Sequence, residues 1–255
     1  MNGITIYLSG DTAALRFAGK YLRNFGQNIA PAPTKEVTHL LLPVPSFEAD
    51  GSMKGGGDLS QTLLTLPEQV TVIGGNLDCT LLQGRNTIDL LQDPLYLAEN
   101  AAITADCAIR IAASNLPVVF QGCPILIVGW GRIGKCLSFR LKAMGADVTV
   151  AARKETDRAT IQSLGLSARD TAKLDFGLSH YRVIFNTVPS PVLTAERSAL
   201  CRDDCIKIDL ASKQGIFGND VIWARGLPNR DTPESSGAWI AKTVLRLLSE
   251  KEAKL

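Results

Sequence analysis

The stretch ILIVGWGRIGKCLSFRLKAMGADVTVAARK, residues 125–154, constrains the fold more than any other. Four apolar residues, Ile125 to Val128, predict a buried strand. Gly129, Gly131 and Gly134 follow in the spacing G-x-G-x-x-G, and Ile133, Leu137 and Leu141 then recur at helical spacing. A strand, a glycine loop and an amphipathic helix in that order predict a dinucleotide-binding βα unit. Gly129 permits the tight turn, Gly131 lets the backbone approach a pyrophosphate, and Gly134 lets the helix lie close on the strand. The helix N-terminus offers free N–H groups and the positive end of its dipole to the phosphates.

The second strand ends in Ala151, Ala152, Arg153 and Lys154, about 20 residues beyond the last glycine, where an NAD site usually carries Asp or Glu for the ribose 2′-hydroxyl. A carboxylate there repels a 2′-phosphate. Arg153 can grip that phosphate bidentately and stack on adenine, and Lys154 adds a second charge. The expected cofactor is therefore NADP. The expected nucleotide set is Gly129, Trp130, Gly131, Arg132, Ile133 and Gly134, with Arg153 and Lys154, then Asn186, Thr187, Val188 and Pro189 at the end of the fourth strand, and Asp209 at the end of the fifth. For Asp209 two readings stand side by side, a residue near a ligand or a cap for the segment that follows.

Apolar runs alternate with helical patterns along the whole chain, which predicts α/β architecture with parallel strands. In the first half, strands are expected at Ile4–Gly10, Thr38–Pro45 and Gln69–Gly75 among four or five in all, with Asp11 capping the first helix. DGSMKGGGD, residues 50–58, reads as a mobile surface loop. Asp93-Pro94 and Thr104 are two possible helix starts. In the second half, strands are expected at Pro124–Val128, Val148–Ala152, Val183–Thr187, Ile206–Leu210 and Val221–Arg225, with a weak one near Leu166. The last helix takes Thr232 as cap and Ile240, Val244, Leu247 and Leu248 as its apolar face. The expected fold is two α/β domains: a flavodoxin-like domain over 1–92, a linking helix over 93–116, an NAD(P)-binding Rossmann domain over 117–236 and a C-terminal helix over 237–255.

Composition narrows the function classes. Twenty-seven basic residues against 25 acidic ones give a formal charge of +2 over 255 residues, with no basic arm, so nucleic acid is not an expected partner. The start lacks a positive n-region, and no run reaches the ~18 apolar residues of a membrane span, so neither secretion nor a membrane is expected. The six cysteines read as reduced, mostly buried thiols, and the expected compartment is the cytoplasm. Cys201 and Cys205 stand four apart, but no second pair or nearby His completes a metal set. His39 and His180, the two histidines, lie at neither the glycine loop nor a late strand end.

The segments ENAAITADCAI (99–109), VGWGRIG (128–134), GADVTVAARK (145–154), FNTVPSPVL (185–193), IDLAS (208–212), ARGLP (224–228) and PESSGAWI (233–240) together resemble the NADP-binding A subunit family of dipicolinate synthases from spore-forming bacteria. The resemblance covers most of residues 95–250 and is much weaker before them. It implies an N-terminal flavodoxin-like domain, an NADP-binding domain and a substrate cleft between them. It also implies oxidation of a dihydro- or hydroxytetrahydro-dipicolinate to dipicolinate during sporulation, and a partner, the flavoprotein B subunit. A homo-oligomer is expected. Such a reaction needs hydride transfer, loss of a proton and two anchored carboxylates, and aromatisation supplies driving force. Asp106 is the candidate proton acceptor. Lys213, Ser235 and Ser236 join it in the expected catalytic set, and Thr104, Ser190, Ser212 and Arg230 are expected to border the substrate. The chain departs from the family pattern at Asp106 in place of Glu, at Lys213-Gln214-Gly215, and from Asn229 to Ser236, where Glu234 replaces a basic residue. Two other readings remain: a dehydrogenase of the 2-hydroxy-acid or alanine dehydrogenase build, and a non-catalytic nucleotide-sensing module.

Overall fold

A computed structural model describes residues 3–252. Met1–Asn100 with Pro228–Leu255 make one compact unit and Ala101–Leu227 the other.

In the first unit, β1 (Thr5–Leu8), α1 (Ala13–Asn24), β2 (Asn28–Ala30), β3 (His39–Leu41), α2 (Leu59–Thr65), β4 (Thr71–Gly74) and β5 (Thr87–Asp89) follow one another. The sheet is parallel in the order β2-β1-β3-β4-β5, the flavodoxin-like arrangement. The cap of α1 is Thr12, one residue beyond the expected Asp11. Its hydroxyl accepts from the Leu15 N–H at 3.2 Å, while Asp11 pairs with Arg16. The glycine-rich segment 50–58, read as a mobile surface loop, is held down. Met53 is buried beside Leu40 and Leu63, Lys54 N–H bonds the Ser46 carbonyl at 2.9 Å, and Asp11 N–H bonds the Gly55 carbonyl at 3.0 Å. Backbone bonds, invisible to side-chain periodicity, anchor it.

Next comes α3 (Pro94–Asn115), a single helix of 22 residues. Asp93 caps it through the Tyr96 N–H at 2.7 Å. Thr104 therefore starts nothing and lies mid-helix. The strands and helices that follow are β6 (Pro124–Val128), α4 (Arg132–Ala143), β7 (Asp147–Ala152), α5 (Glu155–Ser163), β8 (Ser167–Asp170), β9 (Val183–Asn186), α6 (Ala195–Ser198), β10 (Ile206–Asp209) and β11 (Val221–Trp223). The second sheet runs β11-β10-β9-β6-β7-β8, all parallel. Counted from β6, this is the doubly wound strand order of dinucleotide-binding domains, and the order reverses between β6 and β9. Ile125, Ile127, Leu137, Leu141, Val150 and Phe185 form its core on one side, and Leu126, Ile184, Leu193 and Ile216 on the other.

The chain closes with α7 (Leu227–Asp231) and α8 (Pro233–Glu252). Ile240, Ala241, Val244 and Leu248 pack with Ala14, Leu15, Ala18 and Leu22 of α1. The segment from Pro228 therefore belongs with the N-terminal sheet, although the sequence places residues up to 236 with the second. None of the described helices is long and apolar enough to cross a membrane, and no cluster of metal-ligating side chains occurs among the described residues.

Candidate functional site

The C-terminal ends of β6, β7 and β9 surround a cavity of about 560 Å³, lined by Gly129, Trp130, Gly131, Ala152, Arg153, Lys154, Asp157, Thr171, Val188, Ser190 and Arg197, among others. The local sequence explains the cavity. Gly129 adopts φ 110°, a left-handed conformation open to glycine at little cost, which turns the chain sharply out of β6. A Cβ on Gly134 would collide with the Gly129 carbonyl oxygen, so α4 begins directly on the turn. Gly131 is the N-cap of α4 and offers no side chain to the first-turn N–H groups. A Cβ there would meet no protein atom, so packing does not demand this glycine. The result is an uncapped helix N-terminus at a cavity, the arrangement that favours a phosphate.

Across the cavity stand Arg153 and Lys154, both exposed where β7 turns into α5. Among the described residues neither is held in an ion pair. The turn itself is fixed by Arg158, whose guanidinium donates to the Ala152 carbonyl at 3.0 Å and the Arg153 carbonyl at 2.7 Å and lies 3.6 Å from Asp170. The helix N-terminus and the basic pair give the cavity two groups of donors able to take anions. Asp157, in the first turn of α5, is the one carboxylate on the described wall.

The β9 and β10 ends are laced together. Asp209 is fully buried, and its carboxylate accepts from four donors: Asn186 Nδ2 at 2.9 Å, Ala211 N–H at 3.0 Å, Gly215 N–H at 2.6 Å and Ile216 N–H at 2.8 Å. Asn186 is buried too and bonds both the N–H and the carbonyl of Val188, at 2.9 and 3.0 Å. Thr187 donates to the Val128 carbonyl at 3.0 Å. Of the two readings of Asp209, the geometry realises the cap: its lone pairs are spent on the loop that follows it. Asn186 and Thr187 likewise hold the cavity's floor and do not line it. Arg132, Ile133, Gly134 and Pro189 are also outside the lining, though the first three form the start of α4.

The expected catalytic and substrate residues are not gathered in one place. Ser190 lines the cavity at the end of β9. Ser212 and Lys213 are exposed on the loop after β10. Thr104 is buried at 8% exposure on α3. Asp106, two residues on, is exposed and ion-paired to Arg140 Nε at 2.7 Å, which compensates its charge away from the cavity. Arg230, Ser235 and Ser236 belong to the other unit. There the Arg230 guanidinium lies against Asp231, with Nε to Oδ1 at 2.6 Å, so part of its charge is already balanced. Ser236 is buried at 2% exposure and donates to Asn229 Oδ1 at 2.6 Å, while Asn229 Nδ2 donates to the Val44 carbonyl at 2.6 Å. This is a clasp between α8 and the loop after β3, and it occupies the hydroxyl expected to hold substrate. Ser235 stays exposed.

No protein-family model matches the chain. A curated relative does: over 254 residues the chain is 23% identical to the A subunit of dipicolinate synthase from Bacillus subtilis (strain 168), across 89% of this chain and 83% of that protein. The chain resembles the A subunit of dipicolinate synthase. The solved structure of that protein from Bacillus halodurans superposes with a TM-score of 0.84 at 22% identity, covering 97% of this chain and 98% of the other. The Bacillus subtilis structure gives 0.82 at 20% identity, covering 100% and 99%. A transhydrogenase from Sinorhizobium meliloti gives 0.71 at 13% identity, covering 97% and 94%. At these identities the structural likenesses establish the two-sheet α/β fold.

Sequence reasoning missed Asp157, Arg158, Thr171 and Arg197 at or behind the cavity wall. Arg158 carried a signal, since it stands one helical turn beyond Lys154. Thr171 and Arg197 carried none, because β8 and α6 bring them in from segments with no motif.

Proposed function

We propose that this chain is an NADP-dependent oxidoreductase that forms dipicolinate from a dihydro- or hydroxytetrahydro-dipicolinate. One observation carries the nucleotide reading: a single cavity joins the uncapped N-terminus of α4 to Arg153 and Lys154, cations that form no ion pair among the described residues. NADP, when bound, supplies the acceptor for the hydride. The residues of this chain bind and orient it. The first-turn N–H groups of α4 hold the pyrophosphate, Arg153 and Lys154 the 2′-phosphate, and Val188 and Ser190 border the opposite wall.

The likeness to the A subunit of dipicolinate synthase supports the substrate class, a cyclic dicarboxylate. In the second unit Ser190, Ser212 and Lys213 are the proposed carboxylate anchors, with Thr104 in a bordering role; in the first unit Ser235 and Arg230 are proposed as substrate contacts. Asp106 is proposed as proton acceptor only in so far as Arg140 releases it. A homo-oligomer, a cytoplasmic location, a part in sporulation and the flavoprotein B subunit belong to the same proposal. A dehydrogenase that uses a histidine gains no support here, since neither His39 nor His180 lines the cavity. The test is to incubate the purified chain with NADP and the product of dihydrodipicolinate synthase, with and without the flavoprotein partner, and to follow dipicolinate absorbance together with NADPH. Dipicolinate and NADPH rising together is the expected result. Tight NADPH binding without turnover in either mixture points instead to a nucleotide-sensing module.

A further inference from the structure

The second unit holds another cavity, of about 420 Å³, between α6, β10 and the turn before β11, and it shares no lining residue with the one beside α4. Lys207, on β10, lines it and is only 8% exposed. Among the described residues its ammonium forms no ion pair or hydrogen bond. Lysines are almost never buried without a partner, because the ammonium gives up its hydration. Ser198, at the end of α6, lines the same cavity and is 7% exposed. Its hydroxyl has no hydrogen-bond partner, and the Thr194 carbonyl one turn back accepts from the Ser198 N–H instead, at 2.9 Å. Gly218 places no side chain over that hydroxyl, where a Cβ would stand 3.5 Å from Ser198 Oγ. A buried ammonium and a buried hydroxyl, both with unmet bonding capacity, thus border one space, and such groups call for an anionic partner. The rim carries the opposite charge. Asp203 and Asp220 are exposed lining residues that form no ion pair among the described residues. Arg202, the other cation on the wall, is engaged by Asp204, through Nε to Oδ1 and through Nη2 to Oδ2 at 3.1 Å. The two carboxylates oppose a simple anion, and Lys207 opposes a simple cation.

We propose that this cavity binds a free α-amino acid with a small side chain, as its zwitterion. The carboxylate lies inward and accepts from the Lys207 ammonium and the Ser198 hydroxyl. The ammonium lies outward, toward Asp203 and Asp220. The side chain rests against the methyl groups of Ala195 and Ala199, which complete the wall. Such a ligand gives the buried lysine its counter-ion and the serine its acceptor, and a charge-assisted bond in a place with little solvent is a strong one. A zwitterion is the one small ligand that meets both signs of charge on this wall. Binding makes and breaks no covalent bond, and the site is independent of the nucleotide reading.

The test measures the melting temperature of the full-length chain, and then affinity by calorimetry, with glycine, L-alanine, L-serine and L-valine. Acetate and methylammonium, at the same concentration and ionic strength, carry each charge alone. At least one of the amino acids should raise the melting temperature, and neither single-charge control should match it. Lys207→Met removes the inner cation without adding volume and should weaken that amino acid about tenfold or more. Asp203→Asn combined with Asp220→Asn changes only the exposed rim, leaves the core untouched, and should also weaken it. Unchanged NADPH affinity in both variants shows that the fold is kept. The proposal is overturned if none of the four amino acids stabilises the chain, if acetate alone does so equally well, or if Lys207→Met leaves the affinity as it was.

Discussion

Replacing Asp209 tests whether it serves the loop or the ligand. Asp209→Ala strands three backbone N–H groups, those of Ala211, Gly215 and Ile216, and the Asn186 amide, in a place with no solvent exposure. An orphaned buried donor costs about 1–3 kcal/mol. Taking the low end for each, because a vacated site admits water, gives a loss of about 4 kcal/mol, a large part of the ~5–15 kcal/mol that holds a typical domain. Asp209→Asn keeps the shape but sets an NH₂ against backbone donors, and about 2–3 kcal/mol is expected from the lost charge-assisted bonds. The assay is hydrogen exchange on the segment 206–216, with urea unfolding beside it. For Asp209→Asn, the amides of Gly215 and Ile216 should exchange about 30- to 100-fold faster, since 1.4 kcal/mol is a factor of ten. Peptides of the first unit should keep their protection. Unchanged protection at Gly215 and Ile216, combined with a large loss of NADPH affinity, would refute the cap and restore Asp209 to the ligand.

Three further substitutions probe other links. Arg158→Ala releases the Ala152 and Arg153 carbonyls from the guanidinium that fixes their turn, and should weaken NADPH binding about five- to tenfold with little change in melting temperature, read by NADPH fluorescence titration. Gly134→Ala drives a methyl into the Gly129 carbonyl. It should abolish nucleotide binding and cost about 1–3 kcal/mol, measured by titration and urea midpoint. Asp93, at the N-cap of α3, is raised by burial but held below its ordinary value of 3.8 overall by the Tyr96 N–H and by Arg246. Its folded pKa is the lower one, so its stabilisation is present above pH ~3.8 and is lost as pH falls through the folded value. Asp93→Asn should therefore be less stable at neutral pH and show a flatter acid limb below pH ~4 in urea titrations.

What could be read from the sequence follows physical lines. The strand ILIV, the glycines and the helix behind them stand in the structure as expected, because period and glycine spacing are local signals. The edge strands were faint. SARD in β8 and NIA in β2 bury one side at most and carry no apolar run. Met53 sits in a glycine-rich segment held by backbone bonds, so its burial left no trace in the pattern. The apolar face of α8 announced a partner but not its identity, and only tertiary contact assigns it to α1. The basic pair Arg153 and Lys154 was legible at its place beside the glycine loop. The residue types of Asn186 and Ser236 suit ligand contact, and that of Asp209 suits either a ligand or a cap. Their bonding capacity goes instead to the backbone and side chains around them.

The nucleotide preference of the cavity is the most direct test of the central claim. Titrating the purified chain with NADPH and with NADH, using nicotinamide emission and quenching of tryptophan, where Trp130 lines the cavity, gives both affinities in one experiment. Charge-assisted bonds from Arg153 and Lys154 to a 2′-phosphate are worth about 1.5–3 kcal/mol, so NADPH should bind about 10- to 100-fold tighter. Arg153→Ala should remove most of that difference while leaving NADH affinity unchanged. Equal affinity for the two nucleotides in the unaltered chain would contradict the account.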